Sequence, residues 1–247
     1  MPLAYDWDEL AELTTPETTL AIVNTPVNPG GHVFRAADVD AIAAALQRTD
    51  ALLLSDEAYF GVVYDGIEHL SPAAHPELRH RTIVLRSFSK TWAMAAWRVG
   101  YAVGPPHAIE AMARELQWQA LAIDGVAQSA ALAALTGPRD WIDAAIAELA
   151  EVRPRAIEAA NAAGLSCGLP EACAFVWAAV DGDEDEASDE LARAFGIPAV
   201  PGRHFGARTP HLRIPFGGRP TAREELLSAF ARYAGRRPAA HRSAALR

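Results

Sequence analysis

Short, unbroken apolar runs alternate with helical patterns through the first hundred residues. Leu20-Ala21-Ile22-Val23 is too short for a helix and is closed by the turn-forming stretch Asn24-Thr25-Pro26-Val27-Asn28-Pro29-Gly30-Gly31. Val39, Ile42, Ala43 and Leu46 then recur at the spacing of one helix face, with Asp38 as a start signal. Residues 51–54, 82–85 and 99–103 form three more apolar runs, the last closed by Gly104-Pro105-Pro106. Runs without polar alternation fit strands buried on both faces, and the strand–helix–strand order predicts a mostly parallel sheet flanked by helices.

The pattern changes after Pro106. Residues 109–122 and 126–135 read as alanine-rich helices, broken from a long helix over 140–162 by Gly137-Pro138, with Pro154 a point for a kink. A strand at 174–180, an acidic loop, a helix at 187–195, short strands at 197–200 and 212–215, and a helix at 222–233 follow. The expected organisation is a truncated large α/β domain over 1–140 and a small C-terminal α+β domain over 141–235, with the long helix as connector. A basic tail at 236–247 is expected to fray.

Composition narrows the possible functions. The chain has 247 residues, 51% hydrophobic and 21% charged, with a formal net charge of −9. That balance argues for an ordinary globular protein and against a general binder of nucleic acid or anionic membranes. No apolar stretch has the length of a membrane span, and the first residues lack a signal peptide's basic start and apolar core, so the expected location is cytoplasmic. Cys167 and Cys173 form neither a disulfide framework nor a zinc set and are expected to be free thiols. Residues 181–190 hold seven carboxylates, and Asp181, Asp183 and Asp185 alternate as in a calcium loop. Glu186 and Ala192 stand where such a loop needs glycine and glutamate, so a solvated loop without a metal is expected.

Candidate chemistry starts at Lys90, the only lysine among 22 basic residues. Arginine can hold phosphate or carboxylate, but only a primary amine can lose its proton and attack a carbonyl carbon. Lys90 closes Ser87-Phe88-Ser89-Lys90, directly after an apolar run, which places an amine and two hydroxyls at a strand's C-terminal end, where open α/β sheets bind ligands. Three further signals lie at or past strand ends. Arg98, in Trp97-Arg98-Val99-Gly100-Tyr101, would give a forked phosphate contact near Ser87. Asp56 and Tyr59, in Ser55-Asp56-Glu57-Ala58-Tyr59, offer a carboxylate for a protonated ring nitrogen and a phenol for a ring oxygen. Asn28 offers an amide on a rigid loop. Each alone has a plain structural explanation: a turn cap for Asp56, packing for Tyr59, a surface ion pair for Arg98.

Taken in order, Asn-x-Pro-x-Asn-Pro-x-Gly, Asp-Glu-x-Tyr, Ser-x-Ser-Lys and Trp-Arg-x-Gly-Tyr resemble the central blocks of the class I/II aminotransferases, pyridoxal-phosphate-dependent enzymes of fold type I. The resemblance runs over about 19–233 and implies the fold type I architecture. It implies that Lys90 forms a Schiff base with pyridoxal 5'-phosphate and then shuttles a proton, and that Asp56 pairs with the pyridinium nitrogen. Asn28 and Tyr59 would contact the ring's phenolate oxygen, and Ser87, Ser89 and Arg98 the phosphate. Arg213, in His211-Leu212-Arg213-Ile214-Pro215-Phe216, would grip the substrate's α-carboxylate, with Asn28 beside it. The implied reaction moves an amino group between an amino acid and a 2-oxo acid. Lyase, cyclase, decarboxylase and oxidase chemistry run on similar residues.

The sequence departs from this pattern in two places. Gly30 stands where the family commonly has threonine. The family has a long N-terminal region that supplies phosphate-binding, ring-stacking and subunit-bridging residues, and nothing in residues 1–18 is expected to replace all of it. A fragment, a split enzyme that a partner chain completes, and an inactive copy are the three accounts; a homodimer or a partner chain is the expected assembly. An unprotected sheet edge is expected in each.

Overall fold

The computed structural model describes residues 5–236 and divides into two compact units. The N-terminal unit holds Tyr5–Pro26 and Val33–Asp143; the C-terminal unit holds Val27–His32 and the described residues from Ala144 onward.

The N-terminal unit is built on β1 (Leu20–Asn24), β2 (Leu52–Asp56), β3 (Thr82–Ser87) and β4 (Gly100–Val103), in that spatial order. The first three are parallel and β4 runs antiparallel to β3, so the sheet is mostly parallel as the sequence predicts. Burial on both faces is observed at the start of β3, where Thr82, Ile83 and Val84 are all buried, but not at β1. Ala21, Val23 and Leu53 are buried, whereas their alternates Leu20 and Ile22 are 44% and 63% exposed. Side chains alternate across a strand, and the described residues leave one side of β1 open.

Two helices precede β2. The first, α1 (Trp7–Leu13), has no buried residue, which is why periodicity does not reveal it. It starts at Asp6, whose carboxylate accepts the Glu9 N–H at 3.0 Å. It is tied to α2 (Ala36–Leu46) by the Trp7 indole N–H, which donates to Asp38 Oδ1 at 2.9 Å. Asp38 acts from inside α2 rather than as its cap: Oδ2 accepts the Arg35 N–H at 2.7 Å. Beyond β3 come the four-residue helix α3 (Phe88–Thr91), then α4 (Pro106–Ala120) and α5 (Gly125–Thr136). α5 carries no charged side chain and buries only Ala127 and Ala131. The long α6 (Asp140–Ala162) runs without a break through Pro154.

The C-terminal unit has a second sheet of β5 (Ser166–Cys167), β6 (Phe175–Ala179), β7 (Val200–Pro201) and β8 (His211–Pro215), ordered β5-β6-β8-β7 and antiparallel throughout. With α7 (Glu184–Phe195) and α8 (Pro220–Arg236), it closes a core around Ala156, Val176, Leu191, Ile214 and Phe230.

The acidic stretch is a helix start, not a loop. Asp183 caps α7, accepting the N–H groups of Asp185 and Glu186 at 2.8 and 3.1 Å, and the acids of the first turn sit at the positive end of the helix dipole. The strand expected at 197–200 shrinks to Val200–Pro201, because Ile197 N–H turns back to the Leu191 carbonyl at 3.0 Å and closes the helix after Gly196. Both cysteines are free. Among the described residues no three His, Cys, Asp or Glu side chains are placed to hold a metal ion, and no helix is long and apolar enough to cross a membrane. The tail at 237–247 lies outside the described residues, and Arg236 ends α8.

Candidate active site

Six of the eight predicted site residues gather at one end of the N-terminal sheet. Asn24 and Asp56 end β1 and β2 directly opposite each other, and Ser87 ends the neighbouring β3. Parallel strands lie about 4.8 Å apart, so these ends form a short row. Asp56 is fixed by its own main chain: the carbonyl accepts Asn24 Nδ2–H at 2.8 Å and Thr25 N–H at 3.0 Å, and Oδ1 accepts the Ala58 N–H at 3.0 Å. Oδ2 makes no hydrogen bond among the described residues, so the carboxylate caps a turn and keeps one oxygen to offer.

Tyr59 is buried at 7% exposure, and its ring carries the Lys90 ammonium 5.3 Å from the centroid. Lys90 is exposed on α3 and makes no ion pair among the described residues. Ser87 caps α3, its Oγ accepting the Ser89 N–H at 3.1 Å. Arg98 follows a 3-10 turn at Ala95–Trp97 in a left-handed conformation, φ 50°, and donates from Nη1 to the Ala95 carbonyl at 2.9 Å. Pairing of Ser87 with Gly100, extended by Phe88 N–H to the Val99 carbonyl at 3.2 Å, brings the segment bearing Arg98 beside Ser87.

The other two predicted residues meet in the C-terminal unit. Arg213, central on β8 and cross-paired with Trp177 and Val200, donates from Nη1 to Asn28 Oδ1 at 3.2 Å. Its guanidinium carbon lies 4.6 Å from the ring centroids of both Phe175 and Phe205. The loop bearing Asn28 is held by Val27 N–H to the His32 carbonyl at 2.8 Å and Gly31 N–H to the Val27 carbonyl at 2.7 Å.

Several contributors are not legible in sequence. Asn24 anchors the Asp56 main chain, and Tyr5 anchors Asn24: its hydroxyl accepts the Asn24 N–H at 2.8 Å. Burial, with the Asp56 carboxylate adding to it against the Asn24 N–H, raises the Tyr5 pKa and keeps the phenol neutral. Phe175 and Phe205, which flank Arg213, carry no motif. Glu57, in the quoted Asp-Glu-x-Tyr block but given no role there, is fully buried.

The groups gathered on the N-terminal unit are a primary amine, a carboxylate with a free oxygen, two hydroxyls and a guanidinium. That set fits an aldehyde, a protonated ring nitrogen and a phosphate, the three reactive parts of pyridoxal phosphate.

The sequence profile "Aminotransferase class I and II" matches residues 3–230. An aspartate aminotransferase of Rhizobium meliloti (strain 1021) is 33% identical over 245 residues, covering 92% of this chain and 58% of that protein. Aromatic-amino-acid aminotransferase 2 of Thermococcus litoralis is 32% identical, with 91% and 59% covered. Among solved structures, the aromatic aminotransferase from Pyrococcus horikoshii OT3 superposes with a TM-score of 0.86 at 28% identity, over 94% of this chain and 63% of that one. The aspartate aminotransferase from Thermus thermophilus with maleate gives 0.85 at 32% identity, with 94% and 60% covered. The architecture is thus that of fold type I, and the chain spans about three-fifths of the length of the curated relatives it matches.

Proposed function

Since this chain belongs to the class I and II aminotransferase family, we propose that it is the lysine-bearing part of a pyridoxal-5'-phosphate-dependent aminotransferase, which moves an amino group between an amino acid and a 2-oxo acid. The observation that carries the proposal is the placement of the single lysine: Lys90 sits on a helix capped by Ser87, one strand from the half-free carboxylate of Asp56.

The cofactor, when bound, supplies an aldehyde carbon and a protonated ring able to take up the electron pair left at the substrate's α-carbon. The rest is work for side chains. Lys90 is the residue that would hold the cofactor through Nζ, and its amine, when free, would remove and return the substrate's α-proton. Asp56 Oδ2 would accept a hydrogen bond from the ring nitrogen's N–H, and its negative charge would keep that nitrogen protonated and cationic. Tyr59 would donate to the ring's phenolate oxygen, the role that the family resemblance also gives Asn28. Ser87, Ser89 and Arg98 hold the phosphate, Arg98 by exchanging its bond to the Ala95 carbonyl for a charge-assisted one. Arg213 takes the α-carboxylate in a fork, with the two flanking phenylalanines restricting the guanidinium to one plane. The N-terminal unit is then the cofactor-binding domain and the C-terminal unit the small domain.

The reading includes a partner. Trp118 and Leu121 are 88% and 86% exposed, and Val126 and Leu132 on uncharged α5 are 67% and 63% exposed. An uncharged helix with so much bare apolar surface is one that another polypeptide covers. A homodimer, or a partner chain equivalent to the relatives' unmatched two-fifths, would cover it.

The test is absorption and mass spectrometry of the full chain, alone and with such a partner chain, after adding pyridoxal phosphate. The expected result is a visible band that borohydride removes while fixing the cofactor's mass to the Lys90 peptide, and formation of a 2-oxo acid from an amino acid. Cofactor that never attaches at Lys90, with or without the partner, overturns the proposal.

A further inference from the structure

A buried polar cluster lies behind the row of strand ends. Glu57 is 0% exposed. Its Oε2 accepts Arg86 Nε–H at 3.1 Å and Nη2–H at 3.0 Å. Its Oε1 accepts the Ser55 hydroxyl at 3.2 Å and also the Ser71 hydroxyl. The His69 side chain is 7% exposed and joins from the other side: Nε2 is 3.0 Å from the Thr25 carbonyl oxygen and Nδ1 is 4.0 Å from Glu57 Oε2. Burial lowers the His69 pKa, against the opposing pull of Glu57, so the ring is neutral at neutral pH and Nε2–H donates to Thr25. Arg86 also stacks 4.1 Å from the Phe60 centroid.

Two geometric facts set this cluster apart from an ordinary buried ion pair. Asp56 pairs with Leu85 and Ser55 with Val84, so strand alternation puts Asp56 and Ser87 on one face of the sheet and Ser55 and Arg86 on the other. Three members also adjoin a residue of the row: Thr25 follows Asn24, Glu57 follows Asp56, and Arg86 precedes Ser87. The cluster thus touches all three strand ends from the rear. A buried pair adds little net stability over apolar residues of similar size, because desolvation offsets the attraction, yet a two-pronged guanidinium–carboxylate contact fixes distance and angle closely.

We propose that Glu57, Arg86 and His69 are positioning residues that set the spacing of Asn24, Asp56 and Ser87 from the opposite face of the sheet. The purpose assigned to that spacing rests on the cofactor reading above; the mechanical coupling does not. Glu57 links β2 to β3 through Arg86, and His69, packed beside Glu57, donates from Nε2–H to the Thr25 carbonyl in the loop that follows β1. Arg86 also neutralises a carboxylate adjacent in sequence to Asp56, which would otherwise stand unpaired inside the protein.

The test uses the full chain as wild type, Glu57→Gln, Arg86→Met and the double variant, and follows amide hydrogen exchange without cofactor. Three reporter amides belong to the strand ends: Thr25, bonded to the Asp56 carbonyl at 3.0 Å, Glu57, bonded to Leu85 at 2.9 Å, and Phe88, bonded to Val99 at 3.2 Å. A fourth, Leu53, bonded to the Arg81 carbonyl at 2.9 Å, reports the far end of the same sheet. Either single variant is expected to speed the three strand-end amides together by about tenfold while Leu53 holds. The double variant, free of a lone buried charge, is expected to regain the wild-type melting temperature but not the lost protection. Acceleration of all four amides by one factor, or only of the amide nearest each substitution, or restored protection in the double variant, would overturn the clamp. A pyridoxal phosphate titration adds the second arm, with about tenfold weaker binding expected for the double variant. Wild-type chain that takes up no cofactor counts against the cofactor reading and leaves the exchange result to decide the clamp by itself.

Discussion

Arg213 donates a hydrogen bond to the side chain of Asn28, 185 residues earlier in the chain, at 3.2 Å. The two residues come from separate motifs, one in a proline-bound loop and one in the middle of a strand, and they sit in the same compact unit. In the proposed reaction Asn28 faces the cofactor ring and Arg213 the substrate carboxylate. Their bond therefore ties the two residues together directly and holds one guanidinium nitrogen in place.

Arg213→Lys is expected to keep the charge and lose the fork. A point-charge ammonium can neither bridge two carboxylate oxygens nor fill the slot between Phe175 and Phe205. Affinity for an amino acid or 2-oxo acid should fall by about 10- to 100-fold, which is roughly 1.4–2.8 kcal/mol, with cofactor attachment at Lys90 intact. Steady-state kinetics of the assembled enzyme would show this as a raised KM, and an unchanged KM would remove Arg213 from the carboxylate site.

Gly31 is expected to tolerate no side chain. Its φ is +74°, and a Cβ there would lie 2.6 Å from Pro170 Cβ and 2.7 Å from the Ala172 carbonyl oxygen. Backbone and a proline ring cannot swing aside as a flexible side chain can. Gly31→Ala should therefore cost about 2–4 kcal/mol in urea unfolding, through strain and overpacking together. Gly66, also at positive φ (+69°) but with nothing within 4 Å of a built Cβ, is the control and should lose only about 1 kcal/mol.

The sequence reveals those features whose cause is local. Apolar runs at 20–23 and 82–85 mark strands because they are too short for a helix and are followed by turn-forming or polar residues, and the structure has strands there. What covers a face is not local, so nothing in Leu20-Ala21-Ile22-Val23 distinguishes exposed Ile22 from buried Val23. The start of α7 is concealed by its own acids: the run that looks like a solvated loop is a cap at Asp183 and a first turn favoured by the dipole. Among site residues, Lys90 is legible from its rarity and place after a strand. Glu57 is not, because its role depends on Arg86 and His69 arriving from 29 and 12 residues away, and only folding brings them together.

Cys167 should behave as an unreactive thiol despite being free. Burial pushes its pKa up to about 12, so the thiolate that alkylating reagents need is scarce at neutral pH. Its alkylation rate should keep rising about tenfold per pH unit up to about pH 11, where an exposed cysteine, with a pKa of about 8.5, has levelled off. Mass spectrometry of the Cys167 peptide against pH measures this; a plateau near pH 9 would show that the thiol is solvated.

Glu184 offers the clearest dependence of stability on pH. Burial raises its pKa, but the backbone N–H groups of His211, Arg203 and Gly202, at 2.9, 3.0 and 3.2 Å, together with the Arg203 charge, outweigh burial and bring it below the ordinary 4.5. The sign follows from linkage: a carboxylate whose folded-state pKa is depressed stabilises the fold fully above its unfolded value and loses that contribution as pH falls through the folded value. Glu184→Gln keeps the shape and one acceptor oxygen but removes the charge. At about pH 7 it should cost roughly 1.5–3 kcal/mol, the range for hydrogen bonds to charged groups. As pH falls below the ordinary 4.5 and through the lower folded-state value, the wild-type carboxylate takes up its own proton, and the gap between the two proteins should narrow and then close. Urea midpoints of both proteins across that range measure it. A gap of constant size from about pH 7 to pH 3 would mean that packing at the start of α7, and not the charge on Glu184, ties β7 and β8 to the helix.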